Sequence, residues 1–525
     1  MERQDSILKG TALLTGAGLV VKILGAAYRI PLSRLIGSEG IGLYQMAYPI
    51  YLMFLSLSTA GLPIAISKMI AEASVSGNTR GIKRIFRVAL LLMSFLGLGG
   101  FLAMLFSAAW IANQVVADPR AVFAMWALAP SIFFMSLMAA FRGYFQGRQL
   151  MAPSAVSQII EQTVRVGVAL ILVVLLLKAG IEHAAAGAAF GATAGGGAGL
   201  LFLILMYWRK NRLVKSSTPD LKVAELFPTA KRLFLFALPI SLAVILMPLL
   251  QTIDSIIVPA KLQNIGYTVK QATSMLGLLG NSWAVMYVPM IVTGAISSNL
   301  VPAIAASKAD GFKLIPVEKI REGLRMALYY LIWAGVLLYI FGRTVYRIIY
   351  GAPGVEILSW LAPAVVFLGL EQVSAGILQG LGKPQLPLLN FIAGVILKLG
   401  VTQIATGLPG LNLAGAALGT VCGSGLTAFL NLRVIQKLAR INYSFLPAGV
   451  LAGITLLIGG IYFKIRLNMH YLPEMLLIGT VGTTVYLVIL WLGGGIGFQD
   501  LELVKKNLLK RRSGHGYGDA VESGK

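Results

Sequence analysis

Apolar runs of about twenty residues, the length a helix needs to cross a bilayer, recur fourteen times along this chain. They fall near 11–33, 43–67, 86–111, 121–141, 153–177, 184–208, 233–259, 273–303, 326–342, 357–379, 386–408, 412–434, 445–463 and 472–492. In hydrocarbon the backbone must satisfy its own hydrogen bonds, so runs of this kind fold as helices. The expected fold is an all-α integral membrane protein with fourteen transmembrane helices. Composition agrees: 57% of the 525 residues are hydrophobic and only 12% are charged.

An even number of spans puts both ends of the chain on one side. Lys and Arg identify that side, because cytoplasmic loops carry them in excess. The two ends and the loops on their side, with Arg87 and Arg433 at the span edges counted among them, hold 31 of the 44 Lys and Arg residues, against nine in the opposite loops. Both termini are therefore expected in the cytoplasm, with the protein in the plasma membrane. Basic runs such as Arg80–Arg87, Arg209–Lys215 and Lys505–Arg512 would sit against anionic lipid, which accounts for the net charge of +24 without nucleic acid. The first apolar run lacks a small-residue cleavage site and is expected to stay as a helix.

The chain also repeats itself. Ala129-Pro130, Gln146-Gly147 and Arg165-Val166-Gly167 recur as Ala362-Pro363, Gln379-Gly380 and Lys398-Leu399-Gly400, each shifted by 233 residues. Gly187-Ala188-Ala189-Phe190-Gly191 recurs as Gly415-Ala416-Ala417-Leu418-Gly419, and Pro49 and Pro63 match Pro289 and Pro302. Spans one to six are copied as seven to twelve. Six is even, so the copies share an orientation and form parallel repeats about a pseudo-twofold axis along the membrane normal. The expected organisation is an N-lobe at 1–210, a cytoplasmic linker at 211–232, a C-lobe at 233–440, two added helices at 441–495 and a basic cytoplasmic tail at 496–525. The Gly187, Gly191, Gly195, Gly199 spacing predicts close helix approach. The proline pairs predict bent second and eighth helices.

Charges inside the spans mark the polar pathway, because they are costly in hydrocarbon and face a bundle interior or a wet cavity. Lys22 and Arg29 lie seven residues apart, close to two turns, and so share one helix face. Arg165 and its repeat mate Lys398 complete the embedded basic set. These four are the candidates for binding an anionic cargo. Glu161, one turn before Arg165, is positioned for an i, i+4 ion pair. Asp254 and Glu371 are candidates for counter-charges or ligands of a coupling ion. Arg142 and Arg148, in a cytoplasmic hairpin, are candidates for meeting an incoming headgroup.

The Thr15-Gly16-Ala17-Gly18 and Val21-Lys22-Ile23-Leu24-Gly25 segments, followed by Leu35-Ile36-Gly37-Ser38-Glu39-Gly40-Ile41-Gly42-Leu43-Tyr44, give the chain a family resemblance. With the six-plus-six repeat and two extra helices, it resembles the polysaccharide-flippase group of the multidrug/oligosaccharidyl-lipid/polysaccharide exporters. The Ala60–Lys68 stretch and Arg142-Gly143-Tyr144-Phe145-Gln146-Gly147 resemble the branch of stage V sporulation protein B and the MurJ-type lipid II flippases. That resemblance implies a MATE/MurJ-like, alternating-access transporter that moves an undecaprenyl-diphosphate-linked glycan outward and holds the diphosphate in a cationic cavity. It aligns Lys22 with a basic position of the family motif. The second basic position falls on Tyr28, one residue before Arg29. The extra helices resemble those proposed to form a groove for the lipid tail.

Two other cargoes stay open at this stage: a different undecaprenyl-linked polysaccharide unit, or a cationic drug moved by an antiporter of the same superfamily. A scaffold for a sporulation or division complex would not need charges inside its spans. An enzyme is not expected: Gly382-Lys383 is followed by Pro384, not the Ser or Thr of a phosphate-binding loop. One Cys and three scattered His residues offer no metal site. No cofactor is expected; Na+, H+ or membrane potential would supply the energy. A closed two-lobe bundle needs no partner chain, so a monomer is expected.

Overall fold

The computed structural model describes residues 2–59, 61–211, 223–309, 317–351, 356–444, 446–467 and 471–492. The expected basic tail and half of the expected linker, 212–222, lie outside these described residues. The helices are α1 (Glu2–Thr59), α2 (Leu62–Val75), α3 (Thr79–Trp110), α4 (Ala121–Gly147), α5 (Met151–Leu176), α6 (Ile181–Asn211) and α7 (Val223–Asn264). They continue as α8 (Val269–Ala309), α9 (Val317–Tyr350), α10 (Ile357–Gly380), α11 (Gln385–Ala405), α12 (Leu413–Ala439), α13 (Leu446–Leu467) and α14 (Tyr471–Leu492). The described chain carries no strand. Eleven helical stretches among the described residues are long and apolar enough to cross a membrane. The first of these, Leu13–Val75, has 63 residues, enough for two crossings. With α1 and α2 supplying two spans and α3 to α14 one each, the fourteen expected spans are accounted for.

Backbone chemistry decides where the first two spans divide. Gly37 breaks α1 with φ of 64° and ψ of −172°, a conformation open to a residue without Cβ. The second span then runs to Thr59 and restarts as α2, with Pro63 in the first turn, where its missing N–H costs no hydrogen bond. The repeat mates Pro289 and Pro302 instead sit inside a continuous α8. The two proline pairs therefore give a broken second span and an unbroken eighth.

Two compact units divide the fold, and their boundary cuts through α8, α9, α11 and α12 and after the first residue of α10. The first unit spans Met1–Val285, Tyr346–Ile357 and Val395–Thr420. Its core gathers on Phe86, Phe141, Tyr144 and Phe145, with Ile66 and Ile70 of α2 and Leu203 of α6 packed around them. The Phe86 ring lies 4.6 Å from Tyr144 and 5.2 Å from Phe141, at the separations aromatic pairs favour. The glycine stripe of α6 meets α5 backbone to backbone: a Cβ added at Gly191 would stand 2.5 Å from the Arg165 carbonyl oxygen. At the repeat mate, a Cβ at Gly419 would stand 3.1 Å from the Lys398 carbonyl oxygen. The same small residue thus seats the basic helix in each copy.

In the second unit, whose described residues fall within 286–345, 358–394 and 421–492, α13 and α14 pack together and onto α9. Tyr329, Ala452, Leu456, Tyr486 and Leu490 are buried there. Tyr486 Oη donates to the Tyr329 carbonyl at 2.7 Å, so α14 is fastened to α9 by a buried hydrogen bond as well as by packing.

Candidate functional site

Three helical segments bring two arginines to one cavity in the first unit. It has a volume of about 170 Å³ and is lined by Val21, Gly25, Tyr28, Arg29 and Leu32 of α1 and, past the Gly37 break, by Ile41, Tyr44, Gln45 and Tyr48. Gln162 and Arg165 of α5 complete it. The lining residues of α1 follow the 3.6-residue period, so one helix face supplies them. About six waters would fill this space at liquid density, the scale of a phosphate-sized group.

Arg165 is the more exposed of the two to electrostatic need. Its side chain is 17% exposed and its Nη2 stands 3.9 Å from Glu161 Oε1, the outer limit of an ion pair. Its Nε is buried without a hydrogen-bond partner. The reason is that Glu161 is already taken: Arg142 Nη2 donates to Glu161 Oε2 at 2.9 Å, and Arg142 Nε donates to Ser157 Oγ at 3.0 Å. The i, i+4 spacing on α5 thus yields only the weaker contact, and a cation from α4 makes the stronger one. The buried Nε is thus a donor left unmade, which is costly for a charged group.

Arg29 faces the same cavity while its Nη1 donates to the Gly280 carbonyl at 3.0 Å. Around both cations stand tyrosines that spacing alone makes neighbours: Tyr44 and Tyr48 stack at 5.1 Å with planes 17° apart. Tyr51, one turn further, is buried and shares a 2.8 Å hydrogen bond with Ser131. Sequence reasoning did not single out these tyrosines or Gln162. The i, i+4, i+7 spacing of Tyr44, Tyr48 and Tyr51 was the available signal.

The other candidates are placed apart from this cavity. Lys22 lies on α1, exposed, with no acidic partner among the described residues. Lys398 forms a closed pair with Asp254, Nζ to Oδ2 at 2.7 Å, and its ammonium stands 5.5 Å from the centre of the Trp283 ring. Glu371 is half-buried on α10 in the second unit. Arg142 is 16% exposed and committed to Glu161. Arg148 is exposed at the end of α4, where its Nη1 donates to Tyr144 Oη at 3.1 Å.

A polar network that spacing did not reveal joins α1, the α3–α4 connection and α8. Arg120 Nη1 donates to Glu39 Oε1 at 2.5 Å, and its Nη2 to Asp118 Oδ2 at 2.8 Å. Asp118 is fully buried and also accepts from Thr273 Oγ1 at 2.6 Å. The hydrogen bond to Asp118, followed by that to Glu39, pushes the Arg120 pKa further up against a partial desolvation, so this cation stays charged.

Comparison with known proteins bears on the whole chain. A family model described as polysaccharide biosynthesis protein matches residues 7–308, more than half of the 525. Stage V sporulation protein B of Bacillus subtilis (strain 168) is 29% identical over 443 residues, covering 84% of this chain and 85% of that protein. Lipid II flippase MurJ of the same organism is 27% identical over 403 residues, covering 72% and 73%. Among solved structures, lipid II flippase MurJ in an inward closed conformation aligns with a TM-score of 0.70 at 13% identity, over 91% of this chain and 98% of that one. At that identity the likeness is one of fold, and it supports the all-helical, multi-pass architecture read from the apolar runs. The chain is a multi-pass membrane protein that belongs to the polysaccharide biosynthesis protein family.

Proposed function

We propose that this chain is a flippase, not an enzyme, and that it carries an undecaprenyl-diphosphate-linked glycan, lipid II in the first instance, from the inner to the outer leaflet by alternating access. The observation that carries this reading is the Arg165 guanidinium, which lines a small cavity beside Arg29 with its Nε buried and unpartnered. A diphosphate cannot enter hydrocarbon bare, and two guanidiniums in a shielded cavity replace its hydration. Lys22, exposed on α1 close to two turns before Arg29, extends the cationic track along the same helix. The relationship to lipid II flippase MurJ supports the choice of cargo. In this reading both termini are cytoplasmic, the two repeat lobes alternate about the cavity, and an ion gradient or membrane potential drives the cycle.

A drug antiporter would need embedded carboxylates free to take a cation. Glu161 and Asp254 each already face one, Arg142 and Lys398. The direct test is complementation of cells depleted of their lipid II flippase. Rescue by the wild-type chain, with lipid II accessible on the outer leaflet, and failure by an Arg165→Ala variant present in the membrane, is the expected result. Equal rescue by both would remove the cationic cavity from the mechanism.

A further inference from the structure

One helical turn beyond Arg29 the first unit holds a second, larger cavity of about 440 Å³, lined by Ser33, Arg34, Ser38, Asn281, Tyr346 and Tyr350 among others. This volume lies within the range of about 300–1,000 Å³ typical of small-molecule sites. Among its lining residues is Asn281, which is 1% exposed. Asn281 Nδ2 donates to Ser33 Oγ at 2.7 Å and to Tyr346 Oη at 3.2 Å, and the Asn281 carbonyl accepts from Tyr350 Oη at 3.2 Å. The side-chain oxygen, Oδ1, is buried with no partner. Turning the amide over only exchanges the roles: the oxygen would accept from the two hydroxyls and the NH2 would be left over. Either way Asn281 keeps one polar atom unsatisfied, which is rare for a group so deeply buried.

We propose that this cavity is a subsite for a pyranose unit of the cargo, a reading that rests on the flippase function proposed above. A sugar hydroxyl both donates and accepts, so it completes Asn281 in either orientation. The Tyr350 ring, backed at 4.9 Å by the fully buried Tyr346 ring, offers an apolar edge for the C–H face of the sugar. Arg34 caps the end of α9, its Nε and Nη2 donating to the Ile349 and Ile348 carbonyls at 3.0 and 2.7 Å. Its Nη1 has no partner among the described residues and is free for a hydroxyl or ring oxygen. A bare phosphate fits less well, since it would meet one partly engaged arginine and a field of neutral hydroxyls. The position also follows from the fold: Ser33 stands about 6 Å along α1 from Arg29, and Asn281 directly follows the Gly280 that Arg29 grips. A sugar linked straight to a diphosphate at Arg29 would reach this point.

The test uses the full chain in nanodiscs with two separate probes. The first is the free β1,4-linked dimer of N-acetylglucosamine, followed by saturation-transfer NMR; the second is undecaprenyl diphosphate without sugar, followed by native mass spectrometry. Asn281→Leu should weaken dimer binding about tenfold or more, the scale of one buried hydrogen bond, and leave undecaprenyl diphosphate binding unchanged. Arg34→Gln, at an exposed position that spares the core, should weaken dimer binding in the same sense, and Arg165→Ala should not. No dimer binding by wild type, or equal binding by Asn281→Leu and Arg34→Gln, overturns the subsite. Undecaprenyl diphosphate binding that ignores Arg165→Ala counts instead against the flippase reading, on its own arm of the experiment.

Discussion

The Lys398 ammonium lies 2.7 Å from Asp254 Oδ2, with both side chains less than a tenth exposed. Lys398 is the repeat mate of Arg165, yet the two cations have opposite circumstances. Arg165 reaches its nearest carboxylate only at 3.9 Å and opens on a cavity, whereas Lys398 is neutralised by a carboxylate from another helix. The two copies of one motif have separated into a cation that opens on a cavity and a cation closed on its partner.

Lys398→Ala should therefore cost stability before it costs chemistry. Leaving Asp254 buried and unpaired is worth about 3–5 kcal/mol, while replacing both partners by apolar residues is close to neutral or favourable. Thermal unfolding in detergent is expected to fall sharply for Lys398→Ala and to recover in Lys398→Met with Asp254→Leu. A stable single variant would contradict the closed pair.

Arg142 is predicted to affect transport without touching cargo. Its bond to Glu161 at 2.9 Å keeps that carboxylate off Arg165. In Arg142→Ala, Glu161 is released to close on Arg165, and cargo affinity should fall by roughly fivefold, a coupling of about 1 kcal/mol. Adding Glu161→Gln should restore most of it. A double variant no better than the single would show that Arg142 acts in another way.

Gly191 carries the seat of α5. A Cβ there would stand 2.5 Å from the Arg165 carbonyl oxygen, so Gly191→Ala must displace the helix that presents Arg165, at about 1–3 kcal/mol. Gly18→Ala, where nothing stands within 4 Å, is the control and should not lower stability. Melting temperatures of the two variants in the same detergent decide the point.

Lys22 is exposed, with no acidic partner among the described residues, so Lys22→Ala should leave unfolding unchanged and slow transport. Unchanged transport would confine the cationic track to Arg29 and Arg165.

Much of this was legible in the sequence, for physical reasons. Span length and composition fix helices in hydrocarbon, and the shift of 233 residues pairs Arg165 with Lys398. The glycine stripe of α6 announces close contact, and α5 is what it meets. Partner choice was not legible. Spacing along one helix offers Glu161 to Arg165, but Arg142 from α4 approaches it more closely, and only tertiary packing sets that. The Asp254–Lys398 pair joins residues 144 apart, beyond any periodicity. Tyrosines at helical spacing read alike whether they face lipid, a core or a cavity. Pro63 and Pro302 look equivalent in sequence, yet one opens a helix and the other lies within one, because a proline in a first turn costs no hydrogen bond.

The central claim is that Arg165 holds the diphosphate of a lipid-linked glycan as it crosses the membrane. The most direct measurement is lipid II movement in proteoliposomes containing the purified chain, read by its accessibility on the far leaflet. Wild type should move lipid II, and Arg165→Ala, folded and equally reconstituted, should do so at least about tenfold more slowly, matching the loss of one hydrogen bond to a charged group. Equal rates for the two proteins, or no lipid II movement by wild type, would contradict the account.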